Sequence, residues 1–397
     1  MDSAEQIREW IIRNGLLSDA EADQWIGRWR AQASPNSGVD ELVGWLVAEE
    51  LLTEFQAEAL LAGHAGPHDV GPYRVLDRIV AERLGTIFHA VHREYDQPVS
   101  LKLFPRSIAL SPEKLARMGR EARVSMEVEH ANVVRMYHIG DVAGIVYIAL
   151  EDLQGETLGM RLDRDKKLPF AEACRLVRQA ALGLQHLHDQ GIIHRDVKPA
   201  NLWVGTNGVV KVMEFGASRD TLDFPDTLAS GEQPTMQDVI VGTCDYMAPE
   251  QAQDAHAADA RCDIYSLGCT LYHCLTGQPP FPDSNAIRQM MRHANELPKP
   301  VTVLAPDVPR ALEQTIAAML AKRPAERYKR ADDIARVIEQ YIPPDDLDAG
   351  EQPELNADFA QWLRSAESPS TGINVAVSSP EGVEFMHWLE GQYAAKA

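Results

Sequence analysis

The sequence predicts an α+β fold in which a small strand-rich part is followed by a larger helical part. Three apolar runs with the composition of strands begin at Tyr73, Thr86 and Val99. Amphipathic helical patterns dominate from Pro169 to Tyr341. Strands grouped ahead of helices are typical of α+β architectures.

Composition and charge limit what the chain can do. With 397 residues, of which 45% are hydrophobic, it is long enough for two or three domains with sizeable cores. No apolar run approaches the roughly 20 residues that span a membrane, and no secretory signal follows Met1. The net charge of −21 argues against direct nucleic-acid binding. We therefore expect neither a membrane nor a nucleic acid as a partner.

The acidic charge lies mainly at the two ends of the chain. Residues 1–70 carry 13 acidic and 4 basic side chains, and residues 343–397 carry 10 and 2. Cysteine occurs at five scattered positions without a CxxC pair: Cys174, Cys244, Cys262, Cys269 and Cys274. Such a set is typical of reduced, buried thiols, so we expect a cytoplasmic protein.

Residues 1–66 contain an internal repeat with an offset of 35 residues. In each copy a hydroxyl residue, Ser18 or Thr53, is followed three places later by Glu21 or Gln56. This spacing predicts a capping box, so each copy should be a helix, a short break and a newly capped helix. The module is either a stabilising appendage or a docking module. The Gly, Pro and His content that follows predicts a linker at residues 67–72.

The strongest chemical signal is the stretch His194–Asn201, which reads HRDVKPAN. Asp196 can accept a proton, Lys198 can neutralise a phosphate, and Asn201 can offer an oxygen to a divalent cation. An exposed polar loop without function has a similar composition.

A hairpin is predicted directly after this stretch. Asn207-Gly208 separates two β-branched runs, and a two-residue turn there would pair residues whose numbers sum to 415. Asn201 would then face Glu214, so that an amide oxygen and a carboxylate meet at the open end of the hairpin. This pair is a candidate site for a metal ion that is bound to phosphates.

HRDVKPAN, the hairpin and Glu214-Phe215-Gly216 together resemble the catalytic and metal-binding segments of eukaryotic-like serine/threonine protein kinases. The phrase LLTEFQAEALLAG is similar to segments ahead of kinase domains in planctomycete-type bacterial members. The resemblance implies a bilobal protein-kinase fold at residues 73–342, with a small β-rich N-lobe and a larger helical C-lobe. The family has aspartate where this chain has Glu214.

The resemblance also implies a nucleotide site in the N-lobe. Lys102 takes the position of the phosphate-binding lysine, and Glu121 that of its helix partner. Without that pairing, Glu121 would form a surface pair with Arg117. The backbone groups of Glu151 and Leu153 would contact adenine.

The glycine-rich loop of the family is degenerate in this chain. Only its last glycine, Gly85, is present, and Val80 and Glu82 occupy the other two positions. Glycines there let backbone amides approach phosphate closely, and Glu82 places a like charge beside a polyanion.

The C-lobe scaffold of the family is intact. By resemblance, Asp263 holds the backbone of the catalytic loop, and Arg327 pairs with Glu250. Glu214–Glu250 would be the activation segment, with candidate phosphorylation sites and with Thr243 near Asp196.

The tail, residues 343–397, is acidic and contains Pro and Ser, so we expect it to be mostly disordered. It holds two similar short helical motifs, Asp358–Leu363 and Glu384–Leu389, each with Phe and Trp three residues apart. These motifs either dock into a groove, on this chain or on a partner, or pack as stabilising terminal helices.

By this resemblance the sequence predicts a serine/threonine protein kinase that transfers the γ-phosphate of ATP to protein hydroxyls, with Mg²⁺ or Mn²⁺ as the metal ion. The alternative is a pseudokinase, a nucleotide-binding or scaffolding module in signalling. Asp196, Lys198 and Asn201 favour catalysis, whereas Val80, Glu82 and Glu214 favour the alternative. The sequence predicts ATP and a protein substrate or signalling partner as ligands, but neither the substrate's identity nor the oligomeric state.

Overall fold

The computed structural model describes most of the chain, namely residues 4–13, 17–34, 37–63, 69–82, 85–104, 118–119, 122–142, 144–215, 244–253, 258–347, 355–366, 374–376 and 388. The chain forms two compact units. The first, here called the sheet unit, comprises Met1–Gly119, Met136–Asp152 and Glu354–Ala397. The second, the helical unit, comprises Arg120–Arg135 and Leu153–Pro353. The predicted grouping of strands and helices is confirmed.

The described strands are β1 Asp69–Val70, β2 Tyr73–Glu82, β3 Gly85–His92, β4 Pro98–Leu103, β5 Met136–Val142, β6 Ile145–Glu151, β7 Gly155–Thr157, β8 Leu202–Gly205, β9 Val210–Val212 and β10 Asn374–Ala376. The described helices are α1 Ala4–Arg13, α2 Asp19–Gln32, α3 Val39–Ala48, α4 Glu54–Leu61, α5 Leu158–Asp165, α6 Phe170–Asp189, α7 Pro249–Gln253, α8 Arg261–Thr276, α9 Ala286–Asn295, α10 Val301–Leu304, α11 Arg310–Met319, α12 Ala331–Ile338 and α13 Ala357–Ala366. No helix in these described ranges is long and apolar enough to cross a membrane.

Helices α1–α4 form the predicted N-terminal repeat. Both capping boxes are present: the side chain of Ser18 accepts from the backbone of Glu21, and that of Thr53 from the backbone of Gln56, with the reciprocal bonds also made. The apolar sides of the four helices share one core, built from Ile7, Trp10, Ile11, Ile26, Leu42, Val43, Leu46, Leu52, Ala57 and Leu60.

The main sheet has the strand order β1-β2-β3-β4-β6-β5-β10. Side chains alternate between its two faces along each strand. In β4, Leu101 and Leu103 lie on the face that also carries Phe88 and Tyr147, and all four are buried in one cluster. We call this the outer face. Lys102, between the two leucines, therefore lies on the opposite face.

The tail contains the first of its two predicted helical motifs as a helix. Its first motif forms α13, and Phe359 from this helix is fully buried in the cluster on the outer face. Of the second motif only Trp388 lies within the described residues, and its ring is 5.8 Å from that of Phe55. The first of the two predicted helical motifs is therefore a helix, and its aromatic side chains cover an apolar face of the sheet.

The helical unit is built around α6 and α8. Almost every residue of α8 is buried, and α6 contacts both α8 and α12. Gly183 allows α6 to approach the preceding segment, since a Cβ at this position would lie 2.3 Å from the carbonyl oxygen of Asn132. The small sheet β7-β8-β9 lies in this unit and carries the hairpin that was predicted after the HRDVKPAN stretch.

Candidate active site

The catalytic loop begins where α6 ends. Gly191 has φ +77°, a left-handed conformation that turns the chain toward His194. The His194 ring is buried, and its Nδ1 accepts the backbone N–H of Asp196 at 3.2 Å. Nε2 therefore carries the proton and donates to the carbonyl oxygen of Met213 at 2.6 Å. The His194 ring thus fixes the loop to the residue that follows β9.

Asp263, at the start of α8, anchors the loop backbone. Its Oδ1 accepts the N–H of Arg195 at 2.7 Å, and its Oδ2 accepts the N–H of His194 at 2.9 Å. His188 Nε2 lies 2.8 Å from the same Oδ2. Arg195 has φ +64°, which is unfavourable for a residue with a side chain. The role that the resemblance assigned to Asp263 is confirmed, and the two backbone bonds stabilise a strained residue next to Asp196.

The electrostatics of this anchor favour a charged carboxylate. Asp263 is completely buried, and burial alone would raise its pKa. The hydrogen bond with His188, the electrostatic influence of His188 and His194, and the backbone bond from His194 outweigh burial. The pKa of Asp263 therefore lies below its usual value.

The three predicted side chains of the loop lie together. Lys198 Nζ donates to Asp196 Oδ2 at 2.9 Å, and Asn201 Nδ2 donates to the same oxygen at 3.1 Å and to the Asp196 carbonyl at 2.7 Å. The side chains of Asp196 and Lys198 are 24% and 22% exposed, so that solvent and a ligand can reach them. A carboxylate, an ammonium group and an amide thus form one cluster.

The hairpin register differs by one residue from the prediction. Leu202 pairs with Val212, and Gly205 N–H donates to the Val209 carbonyl at 2.8 Å, which closes a three-residue loop. Gly208 has φ +78° in this loop, as expected for a three-residue turn with a bulge. The side chain of Asn207 accepts the N–H of Val209 at 3.1 Å and so favours the wider turn.

In the observed register a different residue lies opposite Asn201. Met213 N–H donates to the Asn201 carbonyl at 2.9 Å, so Met213 and not Glu214 is its partner across the hairpin. Glu214 is the next residue and is half-buried with φ +61°. A residue with a side chain in this conformation costs of order 1 kcal/mol or more, and such strain clusters at functional sites.

The oxygen donors at the end of the hairpin fit a magnesium or manganese ion in type. Because the amide nitrogen of Asn201 is held by Asp196, its Oδ1 is the atom directed away from that residue. An amide oxygen and the Glu214 carboxylate are ligands that Mg²⁺ accepts. Within the described ranges no group of three or more His, Cys, Asp or Glu side chains could hold a metal ion alone. An ion at these two residues would need further oxygens from phosphate or water.

In the sheet unit, Lys102 and Gly85 lie against each other. Lys102 is 3% exposed, and a Cβ at Gly85 would lie 2.6 Å from the carbonyl oxygen of Leu103 and 3.3 Å from Lys102 Cε. Gly85 also has φ +151°, so both the close contact and the backbone conformation exclude a side chain at this position. The one glycine that the loop retains is therefore the one that the close approach of the Leu103 carbonyl requires.

The rest of the predicted nucleotide site is only partly described. Val80 pairs with Ile87, and Glu82 pairs with Gly85 at the end of the β2–β3 hairpin. The side chain of Glu82, and the whole of Glu121 and Arg117, lie outside the described residues. The Lys102–Glu121 ion pair therefore stays a prediction.

The predicted hinge lies at the junction of the two units in the sequence. Glu151 ends β6 and pairs with Val99, and both Glu151 and Leu153 are buried. Asp152, between them, is 3.4 Å from Nδ1 of His89. Contact of the backbone with adenine stays a prediction.

The Glu250–Arg327 pair forms as the resemblance implied. The two side chains meet through two parallel bonds of 2.6 and 2.8 Å, and the guanidinium group is fully buried. It also donates to three backbone carbonyls, those of Ala321, Arg261 and Lys322.

Two residues of the site were missed by the sequence analysis. Gln251 Nε2 donates to the Arg195 carbonyl at 2.8 Å, and His188 shares Asp263 with the loop. No local pattern marks either residue, although His188 lies one residue before the end of α6. Thr243 and the candidate phosphorylation sites of the activation segment lie outside the described residues.

Comparisons with known proteins agree with this geometry. Residues 73–338 match the family model of the protein kinase domain. Serine/threonine-protein kinase PknE of Mycobacterium tuberculosis is 33% identical over 279 residues, which are 70% of this chain and 47% of that protein. Serine/threonine-protein kinase PknB of Mycolicibacterium smegmatis is 34% identical over 261 residues, which are 64% of this chain and 40% of that protein. The chain thus spans less than half the length of these curated relatives.

A solved structure supports the fold alone. The crystal structure of the PknI kinase domain of Mycobacterium tuberculosis superposes with a TM-score of 0.54 at 23% sequence identity, and the match covers 70% of this chain and 99% of that one. The predicted kinase fold is confirmed by this likeness together with the family match.

Proposed function

Because the chain belongs to the protein kinase family, we propose that it is a serine/threonine protein kinase that transfers the γ-phosphate of ATP to hydroxyl groups of proteins. The observation that carries the proposal is the arrangement around Asp196. Its carboxylate accepts from Lys198 and Asn201, and the backbone of the preceding residues is fixed by Asp263. The relatives named above are serine/threonine-protein kinases, which favours Ser and Thr as acceptors.

Each residue of the site would have its own role in the phosphoryl transfer. Asp196 would orient the acceptor hydroxyl and take its proton, since a carboxylate is a suitable general base once it is positioned. Lys198 would place positive charge beside the transferred phosphoryl group, and Lys102 would bind the remaining phosphates. Asn201 and Glu214 would hold the metal ion, which supplies neutralising charge to the phosphate oxygens when it is bound.

Glu214 sets an expectation for the rate. Its carboxylate extends about one methylene, roughly 1 Å, farther than that of the aspartate found in the family, and Mg²⁺ requires near-octahedral geometry at about 2.0–2.1 Å. A misplacement of about 1 Å can lower a rate about 100-fold. We therefore expect slow turnover, with Mn²⁺ supporting the reaction at least as well as Mg²⁺.

A transfer assay tests the proposed function. The full chain is incubated with ATP labelled in the γ-phosphate and with a generic protein substrate, once with Mg²⁺ and once with Mn²⁺. The Asp196→Ala variant is the blank, and the variant of the exposed Asp307, Asp307→Ala, is the matched control. We expect label above the blank for the wild type and for Asp307→Ala. Label equal to the blank with both metals would overturn the enzyme and leave a nucleotide-binding or scaffolding module.

The Glu214→Asp variant should be the faster enzyme. Because the shorter side chain restores the reach that the family uses, we expect kcat with Mg²⁺ to rise by about tenfold or more. The preference for Mn²⁺ should decrease at the same time. The measurement is kcat with each metal, alongside the wild type. A clear fall in kcat with both metals would show instead that the site is adapted to glutamate.

A cytoplasmic location completes the proposal. All five cysteines are buried, and burial raises the pKa of the Cys174 thiol to about 12. Thiols that are inaccessible and protonated are typical of proteins in a reducing compartment.

A further inference from the structure

The outer face of the main sheet is covered by both ends of the chain. Phe55 of α4 and Phe359 of α13 are buried in the same cluster as the strand residues of this face. Trp362, one turn after Phe359, packs its ring 4.5 Å from that of His92 and 5.4 Å from that of His138. A face that would otherwise expose aromatic rings to water is therefore closed by the tail.

Polar contacts hold the start of α13 against the connection between β3 and β4. Asn356 caps the helix, because its Oδ1 accepts the backbone N–H of Asp358 at 2.9 Å. Its own N–H donates to the side chain of Gln97 at 3.0 Å, and its side-chain amide donates to the carbonyl of Tyr95 at 3.4 Å. These polar contacts fix the position of the helix, which apolar contacts alone would leave free to slide.

The tail also reaches the edge of the sheet. Strand β10 pairs in parallel with β5, from Asn374 opposite Gly140 to Ala376 opposite Val142. Adding a strand to a sheet edge is a common way in which a peptide docks. With α13 on the face, β10 at the edge and Trp388 beside Phe55, the tail contacts the rest of the sheet unit at three separate points.

The receiving face is neutral and built for aromatic contacts. Burial lowers the pKa of His138 to about 4, and it lowers the pKa of His92 as well, so both rings are uncharged at neutral pH. The charged groups near them, Glu94 and Arg93, follow His92 in the chain and oppose each other in their effect on its pKa. Among the described residues of the tail, Phe359 and Trp362 lie with their rings against these two.

We propose that the described part of the tail, α13, β10 and Trp388, is a docking segment whose binding site is the outer face and edge of the chain's own main sheet, and that occupancy of this face keeps β3 and β4 ordered. The occupant is this segment because the same chain supplies it in the structure. α13 has ten residues, and a helix of that length is marginal in water, so it forms as it docks. Docking is thus a reversible step that folds the segment.

Docking of the segment also affects the position of Lys102 in the predicted nucleotide site. Leu101 and Leu103 rest on the outer face, and Lys102 lies between them on the same strand. Phe359 belongs to the same buried cluster as the two leucines, so release of the segment opens this cluster, loosens β4 and lets Lys102 leave its position. This consequence rests on the proposed function, whereas the docking itself does not.

Hydrogen exchange of the full chain tests the docking. The Phe359→Ala/Trp362→Ala variant removes the two aromatic contacts, and Gln361→Ala/Arg364→Ala changes two exposed residues of the same helix as the matched control. We expect amides of α13, β3 and β4 to exchange about tenfold faster or more in the first variant only, with α6 unchanged. Equal exchange in the two variants, or an unprotected α13 in the wild type, would overturn the proposal.

Two further measurements test whether the segment can detach and whether it comes from the same chain. A synthetic peptide of residues 355–366, added in excess to Phe359→Ala/Trp362→Ala, should restore slow exchange in β3 and β4; no restoration would overturn a detachable segment. Sedimentation at several concentrations should show the same mass for the wild type and the aromatic variant. A dimer that is lost in the aromatic variant would mean that a second copy supplies the segment and would overturn docking within one chain.

Nucleotide binding separates this inference from the proposed function. An ATP analogue with Mg²⁺ should bind about tenfold more weakly to the aromatic variant than to the wild type and the matched control. Equal affinity for all three would overturn the consequence for Lys102. If the wild type binds no nucleotide, the proposed function fails, and hydrogen exchange still decides whether the segment docks.

Discussion

The Asp263→Asn variant should lose about 100-fold or more in kcat while the KM for ATP stays within a few-fold of the wild type. Asparagine has almost the same shape, but it offers one acceptor oxygen where the loop brings N–H donors to both oxygens. One amide hydrogen would then face a backbone N–H, and a buried charge-assisted bond worth about 1.5–3 kcal/mol would be lost. Arg195 would relax from its left-handed conformation and displace Asp196 with it.

Steady-state kinetics with the Asp259→Asn variant as control checks this result. Asp259 lies just before the same helix, but its carboxylate is 53% exposed and pairs locally with Arg261. We expect its kcat to stay near that of the wild type. If Asp263→Asn kept kcat within threefold, Asp263 would not position the catalytic loop. A fall in kcat that vanishes in the background of Asp196→Ala would show that the two residues act as a unit.

The parts of the site that the sequence predicted correctly are the local ones. Asp196, Lys198 and Asn201 lie within six residues, so a short loop brings them together in almost any fold that contains it. The capping boxes at Ser18 and Thr53 are equally local. Such contacts depend on spacing along the chain, which the sequence shows directly.

The predicted hairpin register was wrong because the same sequence pattern is compatible with two types of turn. Asn-Gly between β-branched runs fits a two-residue turn, but it also fits a three-residue loop with glycine in the left-handed position. The choice depends on whether the Asn207 side chain takes the N–H of Val209, and the pattern of apolar residues does not reveal this. A shift of one residue was enough to replace Glu214 with Met213 opposite Asn201.

The helix of the tail was predicted, but the surface on which it packs was not, because composition describes a segment in isolation. Acidic residues with Pro and Ser predict disorder, and they carry no information about an apolar face elsewhere in the fold. A signal was present in the strands: β6 is apolar at almost every position from Ile145 to Leu150, and all of these residues are buried. Strands with continuous apolar runs are buried on both faces, so something had to cover the outer one.

Replacing Arg327 with methionine should destabilise the helical unit by about 3–5 kcal/mol, because removal of one partner leaves a buried pair uncompensated. The Glu250 carboxylate, 20% exposed, would lose both of its bonds, and three backbone carbonyls would lose their donor. The control is Arg323→Met, which removes an exposed Arg–Glu pair four residues earlier. Exposed pairs contribute about 0–1 kcal/mol, so this variant should stay close to the wild type.

Urea unfolding gives the free energy of unfolding of each variant, and its difference from the wild type tests the expectation. A loss for Arg327→Met no larger than that for Arg323→Met would contradict the expectation. The double variant Arg327→Met/Glu250→Met should recover part of the loss, since replacing both partners with apolar side chains removes the uncompensated carboxylate. Activity should not recover with stability, because Gln251, which donates to the Arg195 carbonyl, follows Glu250 on α7. The ion pair then stabilises the unit through its charges, and it supports the reaction through the position that it gives to the neighbouring glutamine.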